Sequence, residues 1–252
     1  MLSIKSLSSG YRGQEVIHDI AFSIQKGEQL YIAGPNGSGK TTLLKCIAGL
    51  QPYTGQILLD GQEIHSIKRR ELARQIGILT QISSVYFPYT VYETAAFGRY
   101  SRINGIFGGM TGEDRSYIDH CLETVGLFEL RNRKINELSG GQLQRVYLAR
   151  LFVQDPDIIL MDEPTNHLDL KYQIELLQYV TDWSEQKHKT IIGVLHDLNL
   201  VNTFAKRALL LFGGKVFSDG YPQDSLSGEN LRECYGIDIR QWMCRALEGW
   251  KE

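Results

Sequence analysis

The chain has 252 residues, with 27 Lys and Arg against 29 Asp and Glu, a formal net charge of −2. That balance excludes the strongly basic footprint of a nucleic-acid binder, and the length allows one large domain, or one with a smaller lobe, around a substantial core. Hydrophobic content of 42% is ordinary for a soluble protein, the longest apolar runs, such as Ala208 to Phe212, fall far short of a membrane span, and MLSIKSLSSGYRGQ has no apolar signal region, so a soluble cytoplasmic chain is expected.

Residues 2 to 32 read as four short strands of alternating character, LSIKSL, QEVIH, IAFSI and QLYIA, the last two separated by a turn at Gln25-Lys26-Gly27-Glu28. Tyr11 lies in the polar stretch Ser8 to Gly13, where a lone tyrosine is more often surface filler than a ligand contact. The run EQLYIA ends at Gly34-Pro35-Asn36-Gly37-Ser38-Gly39-Lys40-Thr41, which fits G-x-x-x-x-G-K-[ST], and TTLLKCIA (41–48) follows as a helix that stops at Gly49. Strand, glycine loop and helix start form the context in which that motif cradles phosphate. Glycines admit backbone N–H groups to phosphate oxygens, the helix N-terminus adds positive potential, Lys40 adds a point charge, and the Thr41 hydroxyl suits Mg²⁺.

Cys46 lies in that helix; like Cys121, Cys234 and Cys244 it has no metal-type spacing, and reduced thiols are expected. QILLDG reads as a strand into an Asp60-Gly61 turn, Ile67 to Gln75 as a helix, and IGILT (76–80) as a buried strand ending at Gln81. Strands on both sides of one phosphate loop predict a parallel core with an attached antiparallel sheet. From 82 to 138 the periodicity turns helical, with capping boxes at Thr90 and Thr111, the second helix stopping at Gly126. This predicts a helical lobe inserted into the α/β core. Ile103, Ile106, Phe107 and Met110, in the glycine-rich SRINGIFGGM, are either its small core or a partner surface.

Leu138-Ser139-Gly140-Gly141-Gln142 is a capping box ahead of LQRVYLARLFVQ. Capping does not call for two glycines in a first turn, where each costs up to about 1 kcal/mol relative to alanine. Close approach of an anion would justify them, so a second phosphate-binding helix end is expected. The strand DIILM (157–161) runs into Asp162-Glu163-Pro164, placing two carboxylates where open α/β sheets bind ligands. Asp162 can hold Mg²⁺ through its water shell, and Glu163 can orient or deprotonate a water. TIIGVL (190–195) leads to His196, a candidate γ-phosphate contact, and to Asp197, the N-cap of the next helix.

In order, the phosphate loop 34–41, Gln81, LSGGQ at 138–142, DIILMDE at 157–163, Asn166-His167-Leu168-Asp169 and His196 resemble the nucleotide-binding subunits of ABC transporters over about residues 1 to 240. The tail from 241 to 252 carries no readable signal. The resemblance implies an ABC ATPase: an α/β P-loop NTPase core with a parallel sheet, an N-terminal antiparallel β lobe and a helical lobe at about 82–138. It implies ATP and Mg²⁺ as ligands, with Tyr11 stacking on adenine and the loop residues Gly34 to Thr42 around the phosphates. Thr41, Gln81 and Asp162 would serve the metal, and Glu163, His196, Gln81 and Lys40 hydrolysis. It also implies a head-to-tail dimer in which Ser139, Gly140, Gly141 and Gln142 act in trans beside the D-loop residue Asp169. TVYETAAFGRYSR, DEPTNHLD, VLHDLNL and LRECYGIDI resemble importer ATPases for iron–siderophore, haem and cobalamin. Such a subunit works at the cytoplasmic membrane face with a separate permease and an extracytoplasmic substrate-binding protein. An ABC exporter ATPase and a soluble, non-transport ABC ATPase stand as the alternatives.

Overall fold

The first two strands, β1 (Leu2–Tyr11) and β2 (Gln14–Ile24), form an antiparallel hairpin closed by Arg12 and Gly13, both at positive φ (52° and 81°), as a two-residue turn between right-twisted strands requires. By alternation alone β2 breaks in two at Asp19 and Tyr11 falls in a loop. In the computed structural model, which describes residues 2–80, 87–102 and 109–249, one bulged strand runs through, and Tyr11 ends β1. Ser6 and Asp19 take left-handed backbone conformations (φ 45° and 50°). Such bulges add a residue to a strand while keeping apolar side chains on the buried face, so alternation read from sequence fails across them.

There follow β3 (Gln29–Ala33), α1 (Lys40–Ile47), β4 (Thr54–Leu59) and β5 (Gln62–Glu63), then a 3₁₀ turn at Ile64–Ser66 and α2 (Arg69–Gln75), which begins two residues later than its periodicity suggested. Next come β6 (Ile76–Thr80), α3 (Val91–Ala96), α4 (Gly112–Thr124), α5 (Gly140–Gln154), β7 (Ile158–Asp162), α6 (Leu170–Lys187) and β8 (Thr190–Val194). The chain continues as α7 (Leu198–Phe204), β9 (Arg207–Phe212), β10 (Lys215–Gly220), α8 (Pro222–Ser225), α9 (Gly228–Tyr235) and α10 (Ile239–Glu248). The segment after 240, unreadable in sequence, is therefore mostly helix up to Glu248.

Two compact bodies result, residues up to Ile64 with those from Ile192 onward, and His65–Ile191, with β8 crossing the boundary. In the first, β1 lies between β2 and β4, and β4 also pairs with β5, all antiparallel. β3 pairs in parallel with β9, Leu30 opposite Arg207 through Ala33 opposite Leu210, and β9 turns back on β10. Every residue of β3 is buried, which explains its unbroken apolar run. Arg207 holds β9 in place: its guanidinium donates to both Asp219 oxygens (2.7 and 2.6 Å), to Glu28 Oε1 (3.0 Å) and to the Ser23 carbonyl (2.8 Å).

In the second body β6 and β7 run parallel, from Ile76 opposite Ile158 to Thr80 opposite Asp162. The capping boxes expected at Thr90 and Thr111 are both formed, by Glu93 and Asp114. Phe152 of α5 stacks on Trp183 of α6 at 4.2 Å, joining the two longest helices. Among the described residues no helix is long and apolar enough to cross a membrane.

Candidate nucleotide site

Past the buried end of β3 the backbone enters conformations that only glycine adopts easily. Gly34, Gly37 and Gly39 have φ of 148°, 78° and 99°. A Cβ on Gly34 would stand 2.1 Å from the Leu211 carbonyl oxygen, and one on Gly39 would meet Ile17 Cγ2 at 2.3 Å, whereas Gly37 faces open space. The glycines at either end are fixed by the chain's own packing, and Gly37 is the one that leaves room outside. α1 starts at Lys40 with no side-chain cap hydrogen bond and no acidic residue in its first turn, so no carboxylate there offsets the positive pole of the helix. Ser38 Oγ is buried and has no hydrogen-bond partner among the described residues, a polar atom fitted to an outside acceptor. Lys40, also buried, donates through Nζ to the carbonyls of Gly34 (2.8 Å) and Pro35 (2.9 Å). Thr41 is half-buried, Thr42 buried, and Asn36 exposed.

Tyr235, Tyr11 and His196 belong to the same body. Tyr235, the last residue of α9, brings its phenol to the Gly34 N–H; burial raises its pKa, and that hydrogen bond opposes the rise. The sequence held it only as part of LRECYGIDI, without a role. Tyr11 is 44% exposed at the end of β1, and His196 is exposed just past β8.

The other body carries the remaining motifs. Ser139 caps α5 reciprocally with Gln142: the Gln142 N–H donates to Ser139 Oγ (3.3 Å) and the Ser139 N–H to Gln142 Oε1 (3.0 Å). Gly140 is exposed, and a Cβ added there would touch nothing within 4 Å; Gly141 is buried. At the end of β7, Asp162 is half-buried and Glu163 takes a left-handed backbone conformation, φ 52°, unusual for a side chain of its size. The Asn166 amide donates to Glu163 Oε2 at 2.7 Å. Asp169 caps α6 by accepting from the Tyr172 N–H (3.1 Å), the Gln173 amide reaches the Leu168 carbonyl (2.9 Å), and the buried Gln144 of α5 donates to the Pro164 carbonyl (3.1 Å). Side-chain amides thus brace the loop from Glu163 to Asp169 at three points. Gln81 lies outside the described residues, as do Ile103, Ile106 and Phe107.

A glycine cradle at a helix start, a second capped helix with an open glycine, and an Asp-Glu strand end make a set whose family can be tested directly. A sequence model of the ABC transporter family matches residues 17–166. The chain belongs to that family. The iron(3+)-hydroxamate import ATP-binding protein FhuC of Bacillus subtilis (strain 168) is 35% identical over 238 residues, 94% of this chain and 88% of that protein. A structure described as an inward-facing conformation of a putative metal-chelate type ABC transporter superposes with a TM-score of 0.82 at 30% identity, over 94% of this chain and 89% of that one. The dimeric structure of MJ0796, a bacterial ABC transporter cassette, does so with a TM-score of 0.77 at 30% identity, over 88% and 99%. This ABC protein is accordingly an ATPase subunit of the transporter type, with the α/β P-loop fold expected of it. Sequence reasoning names the motif residues but gives no role to Gln144, Tyr172 and Tyr235, whose contacts are tertiary, or to Asn166, whose amide reaches Glu163 three residues away only through the folded turn.

Proposed function

We propose that this ABC ATPase energises uptake of an iron–siderophore or related metal chelate through a separate permease, at the cytoplasmic face of the membrane. The observation that carries the nucleotide part is the N-terminus of α1, without side-chain cap or acidic first turn, beside the orphaned Ser38 hydroxyl, a cradle whose sign suits a polyphosphate. In this reading Tyr11 stacks on the adenine and Lys40 exchanges its two loop carbonyls for phosphate oxygens. Gly34, Pro35, Asn36, Gly37, Ser38, Gly39, Thr41 and Thr42 form the surrounding loop. The hydroxyl of Thr41, the carboxylate of Asp162 and the amide of Gln81 are the hard oxygen donors Mg²⁺ takes. When bound, the metal neutralises phosphate charge. Glu163, oriented by Asn166, accepts a proton from the attacking water, and His196 contacts the γ-phosphate.

The capped but open N-terminus of α5 is the complementary half. Gly140 leaves its backbone accessible, and Ser139 adds a hydroxyl, so Ser139, Gly140, Gly141 and Gln142 serve the nucleotide of a second copy, with Asp169 beside them. A head-to-tail dimer then shares two ATP molecules, and dimer closure, favoured by ATP over ADP, drives the permease. Residues of the expected helical lobe at 82–138 would receive that permease. Tyr89, Glu93, Ala96, Phe97, Tyr100 and Met110 line a cleft of about 370 Å³ there, with Tyr100 80% exposed. The import reading also calls for an extracytoplasmic substrate-binding protein.

The test uses Glu163→Gln, which keeps size and polarity but removes the base. ATP with Mg²⁺ should drive this variant to a dimer in sedimentation, ADP should not, and adding Ser139→Arg should abolish the shift. Mixing Lys40→Ala subunits with Ser139→Arg subunits should rebuild one composite site per heterodimer. A mixture that never binds ATP between subunits would overturn the shared-site reading.

A further inference from the structure

The two glycines of LSGGQ have different surroundings, although in sequence they look alike. A Cβ on Gly140 would point into open space. A Cβ on Gly141 would stand 2.8, 2.9 and 3.0 Å from three ring carbons of Tyr172, closer than carbon atoms pack. Tyr172 lies in the first turn of α6, three residues past Asp169, whose carboxylate accepts from its N–H. Arg145 of α5 also lies over that ring, its guanidinium 5.9 Å from the Tyr172 ring centre, and Gln144 ties α5 to the segment ahead of α6 through the Pro164 carbonyl. Gly141 is the point at which the first turn of α5 rests on the face of an aromatic ring.

We propose that Tyr172 is a positioning residue of the signature site, its ring the seat that fixes where the first N–H groups of α5 point. It follows that Gly141 is glycine because of Tyr172 in its own chain, while Gly140 is glycine because something from outside approaches it. The seat also links the signature to the D-loop: a shift of the 163–169 segment moves Tyr172 through the Asp169 cap and carries the α5 N-terminus with it. The inference rests on the reading that α5 receives nucleotide, and the two can fail separately.

The experiment compares Gly141→Ala, Tyr172→Ala, the double variant Gly141→Ala/Tyr172→Ala, and Tyr172→Phe. Thermal unfolding without nucleotide should show Gly141→Ala lowered and the double variant restored, because the ring that the new methyl meets is gone. Tyr172→Phe, which keeps the ring, should match the wild type in KM and kcat with reconstituted permease. Tyr172→Ala should remain folded yet lose kcat by about 10- to 100-fold, the scale of a donor displaced by an ångström. ATP-driven dimerisation, read in the Glu163→Gln background, should weaken in parallel. A double variant whose unfolding is no better than that of Gly141→Ala would overturn the proposal, and so would a Tyr172→Ala protein with normal kcat and dimerisation. If Ser139→Arg leaves dimerisation intact, the signature reading itself fails, whatever the unfolding data say about the seat.

Discussion

Lys40→Met isolates what the loop lysine does. The methionine keeps most of the aliphatic stem and loses the ammonium, which in this structure donates to the carbonyls of Gly34 (2.8 Å) and Pro35 (2.9 Å). Removing one partner from a desolvated charge pair costs about 3–5 kcal/mol. The lysine gives up two loop bonds to reach phosphate, each worth about 1 kcal/mol net. The difference is about 1–3 kcal/mol of binding, or roughly 5- to 150-fold in Kd for ATP. The nucleotide-free variant should also lose about 2 kcal/mol of stability, since two carbonyls forfeit that donor; at about 2–4 °C per kcal/mol in a chain this size, its Tm should fall by about 4–8 °C. Calorimetric titration with ATP and Mg²⁺ at fixed salt gives the first number, and scanning fluorimetry without nucleotide the second. A Kd within twofold of wild type would refute the charge argument, and an unchanged Tm the claim that Lys40 braces its own loop.

Asn166→Ala frees the Glu163 carboxylate from its 2.7 Å donor and should lower kcat about tenfold with KM for ATP unchanged; a rise in KM alone would show that Asn166 serves binding. Asp114 is held below the usual carboxylate range, first by the Thr111 N–H and then by the Thr111 hydroxyl and Arg99. A depressed folded-state pKa gives stability that is present above the unfolded value, near 4, and lost as pH falls through it toward the folded one. Asp114→Asn should therefore flatten the dependence of Tm on pH below about 5, and identical curves would remove Asp114 from the acid response. A cysteine at exposed Tyr100 should cross-link to a membrane subunit in reconstituted vesicles, and labelling confined to the N-terminal strands would sink the assigned docking surface.

Local signals carried far in this chain. The loop at 34–41, the capping boxes at Thr90, Thr111 and Ser139, and the buried runs of β3, β6, β7 and β8 each depend on residues within a few positions of one another, and all were readable. What escaped was set by distant packing. The bulges at Ser6 and Asp19 are left-handed residues without glycine, so nothing in the pattern marks them. The clearest mismatch concerns Gly141: two adjacent glycines at a helix start suggested one cause, anion approach, whereas the structure separates an open Gly140 from a Gly141 pressed on Tyr172, thirty-one positions along by their numbers. Asn166 stood inside a recognised motif, but only the folded turn shows that its amide reaches Glu163.

The left-handed backbone at Glu163 bears on how this protein can change. A non-glycine residue at φ 52° costs about 1–2 kcal/mol, which glycine would relieve and asparagine partly relieve. Neither replacement carries a carboxylate. Selection for heat resistance alone should therefore enrich glycine or asparagine at 163 among the survivors, and under the role proposed for Glu163 those survivors would be robust proteins that no longer turn over ATP. A laboratory lineage evolved for stability would need turnover scored in every round to retain its glutamate, because at this one position folding and chemistry favour different residues.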